Sequence, residues 1–277
     1  MSFQLVMAQL TSTDDKHINL KKAEDAVQES VSVHGAEIIV FPEVFMSHFP
    51  LGTPKDVSLK DAEPVDGPFV NGMAELAKRF GVWLIFGMRE AVEDPEEERV
   101  YNTTVVVDST GSIVSVYRKT HLFDAFGYNE SRNIKPGDSL FKPIDTPFGK
   151  IGLFVCYELR FPEIARYQAI HGADIIIVPS GWVRGPMKEM HWTNLVTTRA
   201  IENTVFMVGC GKVSDNFYIG QSLIVDPMGV VMVNGPETEA LIPCRIDLKR
   251  VEEVRAKLPS YVHRRPELYD TGKVDAN

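Results

Sequence analysis

Cysteine is scarce in this chain: three in 277 residues, at positions 156, 210 and 244. That is too few for a disulfide framework, and their separation excludes C-x-x-C spacing. The seven histidines include no H-x-H or H-E-x-x-H pair, so the sequence offers no metal site. Nowhere is there an apolar run long enough to cross a bilayer. The opening Met1–Leu10 lacks the basic region of a secretory leader and reads as a strand. Positive charge is in deficit, with 29 Lys plus Arg against 38 Asp plus Glu and a formal net charge of −9. This disfavours nucleic acid and anionic membrane as partners, while a cationic pocket inside an acidic protein is compatible with the count. A cytoplasmic protein acting on a small molecule is the expectation.

What is present is apolar material, 44% of the residues, enough for a large α/β core. It is arranged as an internal echo. Gly35-Ala36-Glu37-Ile38-Ile39-Val40-Phe41-Pro42-Glu43 recurs as Gly172-Ala173-Asp174-Ile175-Ile176-Ile177-Val178-Pro179-Ser180, and Val107–Val114 recurs as Val225–Met232. Each half reads strand, helix, strand, helix, strand, hairpin. In the first, the strands are Phe3–Leu10, Ile38–Phe41 and Val82–Gly87, and a hairpin turns at Ser109–Ser112. Its helices carry Leu20, Ala23, Val27 and Val31, then Phe69, Met73, Leu76, Ala77 and Phe80. In the second, the strands are Lys150–Cys156, Asp174–Val178 and Thr204–Gly209, with a turn at Pro227–Gly229. One helix follows Tyr157 and another carries Trp192, Leu195, Val196 and Ala200. Continuous Ile/Val runs mark strands covered on both faces. Two such halves predict a four-layer α-β-β-α sandwich about a pseudo-twofold axis, one domain over 1–277. A single doubly wound sheet is the competing arrangement. A polar helix over Leu248–Leu258 leads to a Pro-rich, charged arm from about 259 to 277, lying on a neighbour or across its own surface.

Cys156 ends the apolar run Ile151–Val155 and opens the amphipathic stretch Tyr157–Arg166. A thiol at such a junction lies near the positive end of the helix dipole and beside free backbone N–H groups, as a thiolate and its oxyanion require. A buried core cysteine fits the same run, and Cys210 and Cys244 are read as core residues. In open α/β architectures reactive side chains gather beyond the carboxyl ends of strands. Two more ends carry suitable groups: Glu43 after Ile38–Phe41 and Lys119 after Ile113–Tyr117. In Phe41-Pro42-Glu43-Val44-Phe45 the carboxylate has an apolar setting, where it needs a partner and its pKa is expected to rise. Lys119 equally fits a lysine blunting a sheet edge, and Glu130 a surface loop residue.

Phe41-Pro42-Glu43, Arg118-Lys119-Thr120-His121-Leu122 and Cys156-Tyr157-Glu158-Leu159-Arg160-Phe161-Pro162-Glu163, with Gly127–Glu130, resemble in order and spacing the signature segments of the nitrilase, or carbon–nitrogen hydrolase, superfamily. The resemblance runs from Phe3 to about Val262 and implies the four-layer sandwich. It also implies roles: Cys156 the nucleophile, Glu43 the general base, Lys119 the oxyanion-stabilising cation, Glu130 a support for the lysine and substrate. A free thiol has a pKa of about 8.5, so a base must take its proton at neutral pH. Lys119 and the Tyr157 backbone N–H would hold the oxyanion, at roughly 3–4 kcal/mol per donor. The implied reaction is hydrolysis of a non-peptide C–N bond in a small linear carboxamide, through a thioester, with release of ammonia and no metal or organic cofactor. The nucleophile segment is similar to those of omega-amidases and deaminated-glutathione amidases, which carry Asp where this chain has Glu158. N-carbamoyl-amine hydrolase, nitrilase and a non-catalytic binding protein on this fold are the alternatives. A phosphoesterase of like architecture would need clustered Asp, His and Asn at the strand ends.

Arg160 either clamps a substrate carboxylate or pairs with a neighbouring Glu to hold the nucleophile loop. Trp182, after a strand end, lines the pocket or packs in the core. Arg199–Asn203 resembles a structural helix segment of the family. The loops Ser47–Pro64, Phe123–Arg132 and Gly181–Met190 shape the pocket and carry no pattern that names the acyl group. The helix after Cys156 is apolar around more than one face, through Phe161, Ile164, Ala165, Tyr167, Gln168 and Ile170. Met187, Met190 and Trp192 are expected to be exposed at the start of the next helix. Both helices are expected to be buried in a twofold homodimer, as the resemblance also implies, with the arm around Tyr261–Pro266 reaching across it.

Overall fold

The computed structural model describes residues 1–49 and 55–269. In chain order, β1 (Ser2–Gln9) is followed by α1 (Lys16–Ser32), β2 (Ile38–Val40), α2 (Lys55–Asp61), α3 (Pro68–Phe80) and β3 (Trp83–Glu90). A hairpin of β4 (Tyr101–Val107) and β5 (Ile113–Arg118) closes the first half. The second half runs β6 (Ile144–Thr146), β7 (Gly149–Leu153), α4 (Pro162–Ile170), β8 (Ile175–Ser180), α5 (Lys188–Asn203) and β9 (Phe206–Gly211). The hairpin of β10 (Leu223–Val225) and β11 (Val231–Asn234), then β12 (Ala240–Asp247) and α6 (Lys249–Lys257), complete it.

Two six-stranded sheets result, ordered β12-β1-β2-β3-β4-β5 and β11-β10-β9-β8-β7-β6. Strands β1 to β3 are mutually parallel, as are β7 to β9, and each set continues into its antiparallel hairpin. The echoed Gly-Ala-acid-Ile segments are β2 and β8, inner strands covered on both faces. A further correspondence joins the halves: β12 adds antiparallel to β1 where β6 adds antiparallel to β7. Pro243 hides β12 from a reading by propensity, but at a sheet edge its missing N–H costs no ladder bond. Edge strand β6 spans only Ile144–Thr146, too short to declare itself by period.

Phe3, Leu5, Met7, Val40 and Ile85 of the first sheet share one continuous core with Leu153, Ile175, Ile177 and Phe206 of the second. The opposite face of the first sheet, through Val6, Ala8, Ile39, Leu84 and Phe86, packs on Ala23 and Val27 of α1 and Met73 and Leu76 of α3. Helices α4 and α5 cover the second sheet with Ile164, Ala165, Trp192 and Val196. The layers are therefore helix, sheet, sheet, helix, as the echo predicts, and not one doubly wound sheet.

Three local expectations change. The helix after Cys156 begins at Pro162, because Cys156–Arg160 forms a 3-10 turn and Phe161 is extended at φ −103°, ψ 98°. Proline at the first helical position is pre-set for that start. Trp192 is fully buried, its indole N–H donating to the Gln221 carbonyl at 2.8 Å, while Met187 and Met190 are exposed. The expected loop Ser47–Pro64 contains α2, and its residues 50–54 lie outside the described residues, as do 270–277 of the expected arm. The arm's described part makes turns at Pro259–Tyr261 and Pro266–Leu268, and the Tyr261 hydroxyl donates to the Ala169 carbonyl of α4 at 3.2 Å, a contact across its own surface, one of the two placements expected. Among the described residues no helix is long and apolar enough to cross a membrane.

Candidate active site

Three side chains converge from beyond the ends of β2, β5 and β7. Glu43 leaves β2 through Phe41-Pro42 into a tight turn, with Val44 at φ 45°. The turn sits so close to β3 that a Cβ on Gly87 would lie 2.2 Å from the Val44 nitrogen, so residue 87 has to be glycine. Lys119 directly follows β5, its N–H donating to the Asn102 carbonyl at 2.9 Å and prolonging the pairing with β4. Cys156 follows β7 at φ 49°, a left-handed conformation that costs a cysteine about 1–3 kcal/mol unless the surroundings impose it.

Glu158 imposes it. Its carboxylate is fully buried, and one oxygen accepts the Val155 N–H at 2.7 Å. The other accepts from the Tyr117 hydroxyl at 2.7 Å, the Thr120 N–H at 2.9 Å, the Thr120 hydroxyl at 2.6 Å and the His121 N–H at 3.2 Å. One side chain thus ties the turn bearing Cys156 to the segment bearing Lys119. Burial pushes its pKa up, but the hydrogen bonds from His121, Thr120, Tyr117 and Val155 outweigh burial and hold it below the usual carboxylate range. From α5, Arg199 donates to the Leu159 carbonyl through Nε and Nη2 at 3.2 and 3.0 Å and fixes the far side of the same turn.

The Lys119 ammonium donates to Glu43 Oε1 at 2.9 Å and to Glu130 Oε1 and Oε2 at 3.1 and 2.9 Å. Asn102 Nδ2 bridges the same two carboxylates at 2.8 and 3.2 Å. The Gly181 N–H donates to Glu43 Oε2 at 2.7 Å, and the Phe123 N–H to Glu130 Oε2 at 2.6 Å. Lys119 is buried, with 2% of its surface exposed, so it does not blunt a sheet edge. Burial raises the Glu43 pKa, as its apolar setting predicts. The Lys119 charge, its hydrogen bond and the Gly181 N–H more than reverse this, and the carboxyl lies below its ordinary range. Burial lowers the Lys119 pKa, but Glu130 and Glu43 hold it well above the ordinary lysine value. Burial pushes the Cys156 thiol far up, the Glu43 charge adds to this, and Lys119 only partly offsets it. At neutral pH Glu43 is therefore a carboxylate, Lys119 an ammonium and Cys156 a neutral thiol. Since α4 starts only at Pro162, its dipole does not act on the sulfur.

These groups open on a cavity of about 680 Å³. Its walls also include residues that a sequence reading does not single out: His48, Arg89, Asn102, Lys212, Phe217 and Tyr218. Lys212 alone carried a signal, since it stands at the carboxyl end of β9. Tyr157 lies in the first turn of the 3-10 segment, where N–H groups lack a preceding carbonyl. Arg160 and Trp182 line a separate annex of about 20 Å³ beside Cys156. Among the described residues Arg160 pairs with no glutamate; its guanidinium lies 4.8 Å over the Trp182 ring. The loop-holding task falls to Glu158 and Arg199. Trp182 serves both expected roles, walling the annex while packing 5.3 Å from the Trp192 ring.

Residues 5–256 match the family model described as carbon-nitrogen hydrolase. The chain is 37% identical over 278 residues to deaminated glutathione amidase of Mus musculus, covering 96% of this chain and 84% of the relative. It is 32% identical over 284 residues to omega-amidase NIT2 of Homo sapiens, covering 97% of each. Among solved structures, the C. elegans NitFhit protein superposes with a TM-score of 0.88 at 29% identity over 97% of this chain, which spans 66% of that longer one. With its fold shared and its length matched almost throughout, the chain belongs to the carbon–nitrogen hydrolase family.

Proposed function

We propose that this chain is an amidase in which Cys156 attacks a small linear carboxamide. The convergence of Glu43, Lys119, Glu130 and Cys156 on one cavity carries this reading, and the amidase names of its relatives favour amide over nitrile or carbamoyl substrates. Sγ attacks the carbonyl carbon while a Glu43 oxygen accepts the thiol proton. With the thiol raised and the carboxyl depressed, that transfer is uphill in the resting site and proceeds as the C–S bond forms. Lys119 and the Tyr157 N–H receive the negative charge growing on the carbonyl oxygen. As the Lys119 charge turns to the oxyanion, Glu43 loses part of what depressed its pKa and holds the proton better. Glu43 then protonates the departing nitrogen, which leaves as ammonia, and a thioester remains on Cys156. A water gives its proton to Glu43 and attacks the thioester; collapse expels the sulfur, which recovers the proton, and frees a carboxylic acid. Glu130, engaged with Lys119 through both oxygens, keeps the ammonium aimed. The annex admits only a water-sized group, so Arg160 and Trp182 would act beside the reacting carbon. None of these steps calls for a metal or organic cofactor.

The reading extends to the whole protein. One catalytic domain over 1–277 is supported by β12, which returns the second half of the chain to the first sheet. The three unpaired cysteines, one of them a nucleophile that must stay reduced, favour the cytoplasm. A second copy of the chain would cover the exposed Ile170, Met187, Met190 and Ile201 on α4 and α5 and at the start of α5. Ammonia release from a panel of omega-amides, short aliphatic amides, carbamoyl-amines and nitriles tests the activity. Amide turnover that disappears in Cys156→Ala is expected; release undiminished in that variant would remove the proposal.

A further inference from the structure

Beside Cys156 lies a buried hydroxyl that the proposed chemistry does not use. Strands β7 and β8 run parallel with Leu153 opposite Ile177, and three residues further along each stand Cys156 and Ser180. Ser180 ends β8, is fully buried, and lines neither the cavity nor its annex. Its neighbour Gly181 gives its N–H to Glu43, which fixes this strand end to the site. In the internal echo Ser180 stands where Glu43 stands in the first half, so the corresponding place carries a polar group in both. Among the described residues the Ser180 hydroxyl has no hydrogen-bond partner. A buried hydroxyl left unpaired is costly, and its presence calls for a reason.

The sulfur supplies that reason. A neutral thiol is a weak acceptor, whereas a hydrogen bond to an ionised group is roughly twice as strong as one between neutral groups. Burial and then the Glu43 charge push the Cys156 thiol up; Lys119 and, after it, the Ser180 hydroxyl act in the opposite direction. A hydroxyl hydrogen rotates about its C–O bond and can follow charge as it appears.

We infer that Ser180 is a further catalytic residue: its O–H, unpaired in the resting site, donates to the Cys156 sulfur while that atom carries negative charge. The inference rests on the amidase reading, in which Cys156 is the nucleophile. Sulfur then carries charge at two moments. In the first, Sγ loses its proton to Glu43 as it bonds to the carbonyl carbon. In the second, the intermediate formed by water collapses and the C–S bond breaks. Its electron pair stays on sulfur until Glu43 returns the proton. Ser180 keeps its own proton throughout and only directs it at the sulfur. A donor that is unpaired in the ground state and paired in the transition state contributes to rate and not to substrate binding.

Ser180→Ala, which removes the hydroxyl and little else, tests this. In the variant kcat for an amide should fall by about tenfold or more, the worth of one hydrogen bond to a charged group. Alkylation of Cys156 by iodoacetamide, which requires the thiolate, should slow by a similar factor. Because the hydroxyl is unpaired at rest, the variant should be at least as stable in urea as the unmodified protein. A less stable variant would mean that the hydroxyl already has a partner at rest and holds the strand end, which would overturn the inference. Unchanged alkylation would overturn it as well. The alkylation rate also separates this claim from the amidase reading, since it can be read whether or not an amide is hydrolysed. Slowed alkylation in a protein that turns over no amide would leave the contact between Ser180 and the sulfur standing and remove the amidase. Equal amide turnover in the two proteins would keep the amidase and remove Ser180 from its mechanism.

Discussion

At the scale of single residues, the Lys119 ammonium sets the protonation of the whole cluster. It holds Glu43 ionised against burial and, in the proposed reaction, receives the oxyanion. Lys119→Ala should therefore lower kcat by roughly 10²-fold or more. With the opposing charge gone, burial dominates Glu43, its pKa rises, and the acid limb of the kcat/KM profile should move to higher pH. A change confined to KM, with an unmoved acid limb, would show that Lys119 only binds substrate. Glu43, Lys119 and Cys156 were legible in the sequence because each stands at a strand end within a distinctive segment. The direction of the Glu43 shift was not, because the partners that decide it come from β5 and from Gly181, distant in the chain. Asn102 was invisible for a related reason: it is an ordinary strand residue until folding sets it between two carboxylates.

At the scale of elements, two of the left-handed residues, Val44 and Cys156, mark where the backbone is bent to serve the site. Gly87 makes room for the first bend and Glu158 holds the second. Glu158→Gln preserves the shape but replaces one acceptor oxygen by a donor, leaving buried N–H and hydroxyl groups facing it. It should destabilise the fold by about 2–4 kcal/mol in urea unfolding and lower kcat more than it raises KM. Wild-type stability in this variant would mean that the clamp is redundant with Arg199. Helices α1, α3 and α5 and the paired hairpins could be read from period and turn residues alone. The start of α4 could not, because the amphipathic pattern after Cys156 continues through a 3-10 turn that buries Leu159 as a helix would. Strands β6 and β12 escaped because one is short and the other interrupted by Pro243, and both are sheet edges whose identity depends on their neighbours.

At the scale of the molecule, the site exists only where the two sheets pack, since Glu43 and Lys119 extend from one and Cys156 and Gly181 from the other. The internal echo made this architecture legible; the pocket's occupant was not, because its walls come from segments without pattern. The face carrying Ile170, Met190 and Ile201 adjoins the turn that holds Cys156, through Arg199 of α5. Tyr167→Asp, at a half-buried position on α4, should yield a monomer with weakened activity by light scattering and assay; a monomeric unmodified protein at micromolar concentration would contradict the dimer. The central claim, that Cys156 is the nucleophile, is tested most directly by peptide mapping after treatment with iodoacetamide, itself a small carboxamide. Of the three cysteines only Cys156 lines the cavity, and Cys210 is fully buried. Loss of turnover should track the adduct at Cys156 and be slowed by a substrate amide, whereas inactivation tracking Cys210 or Cys244 would contradict the account.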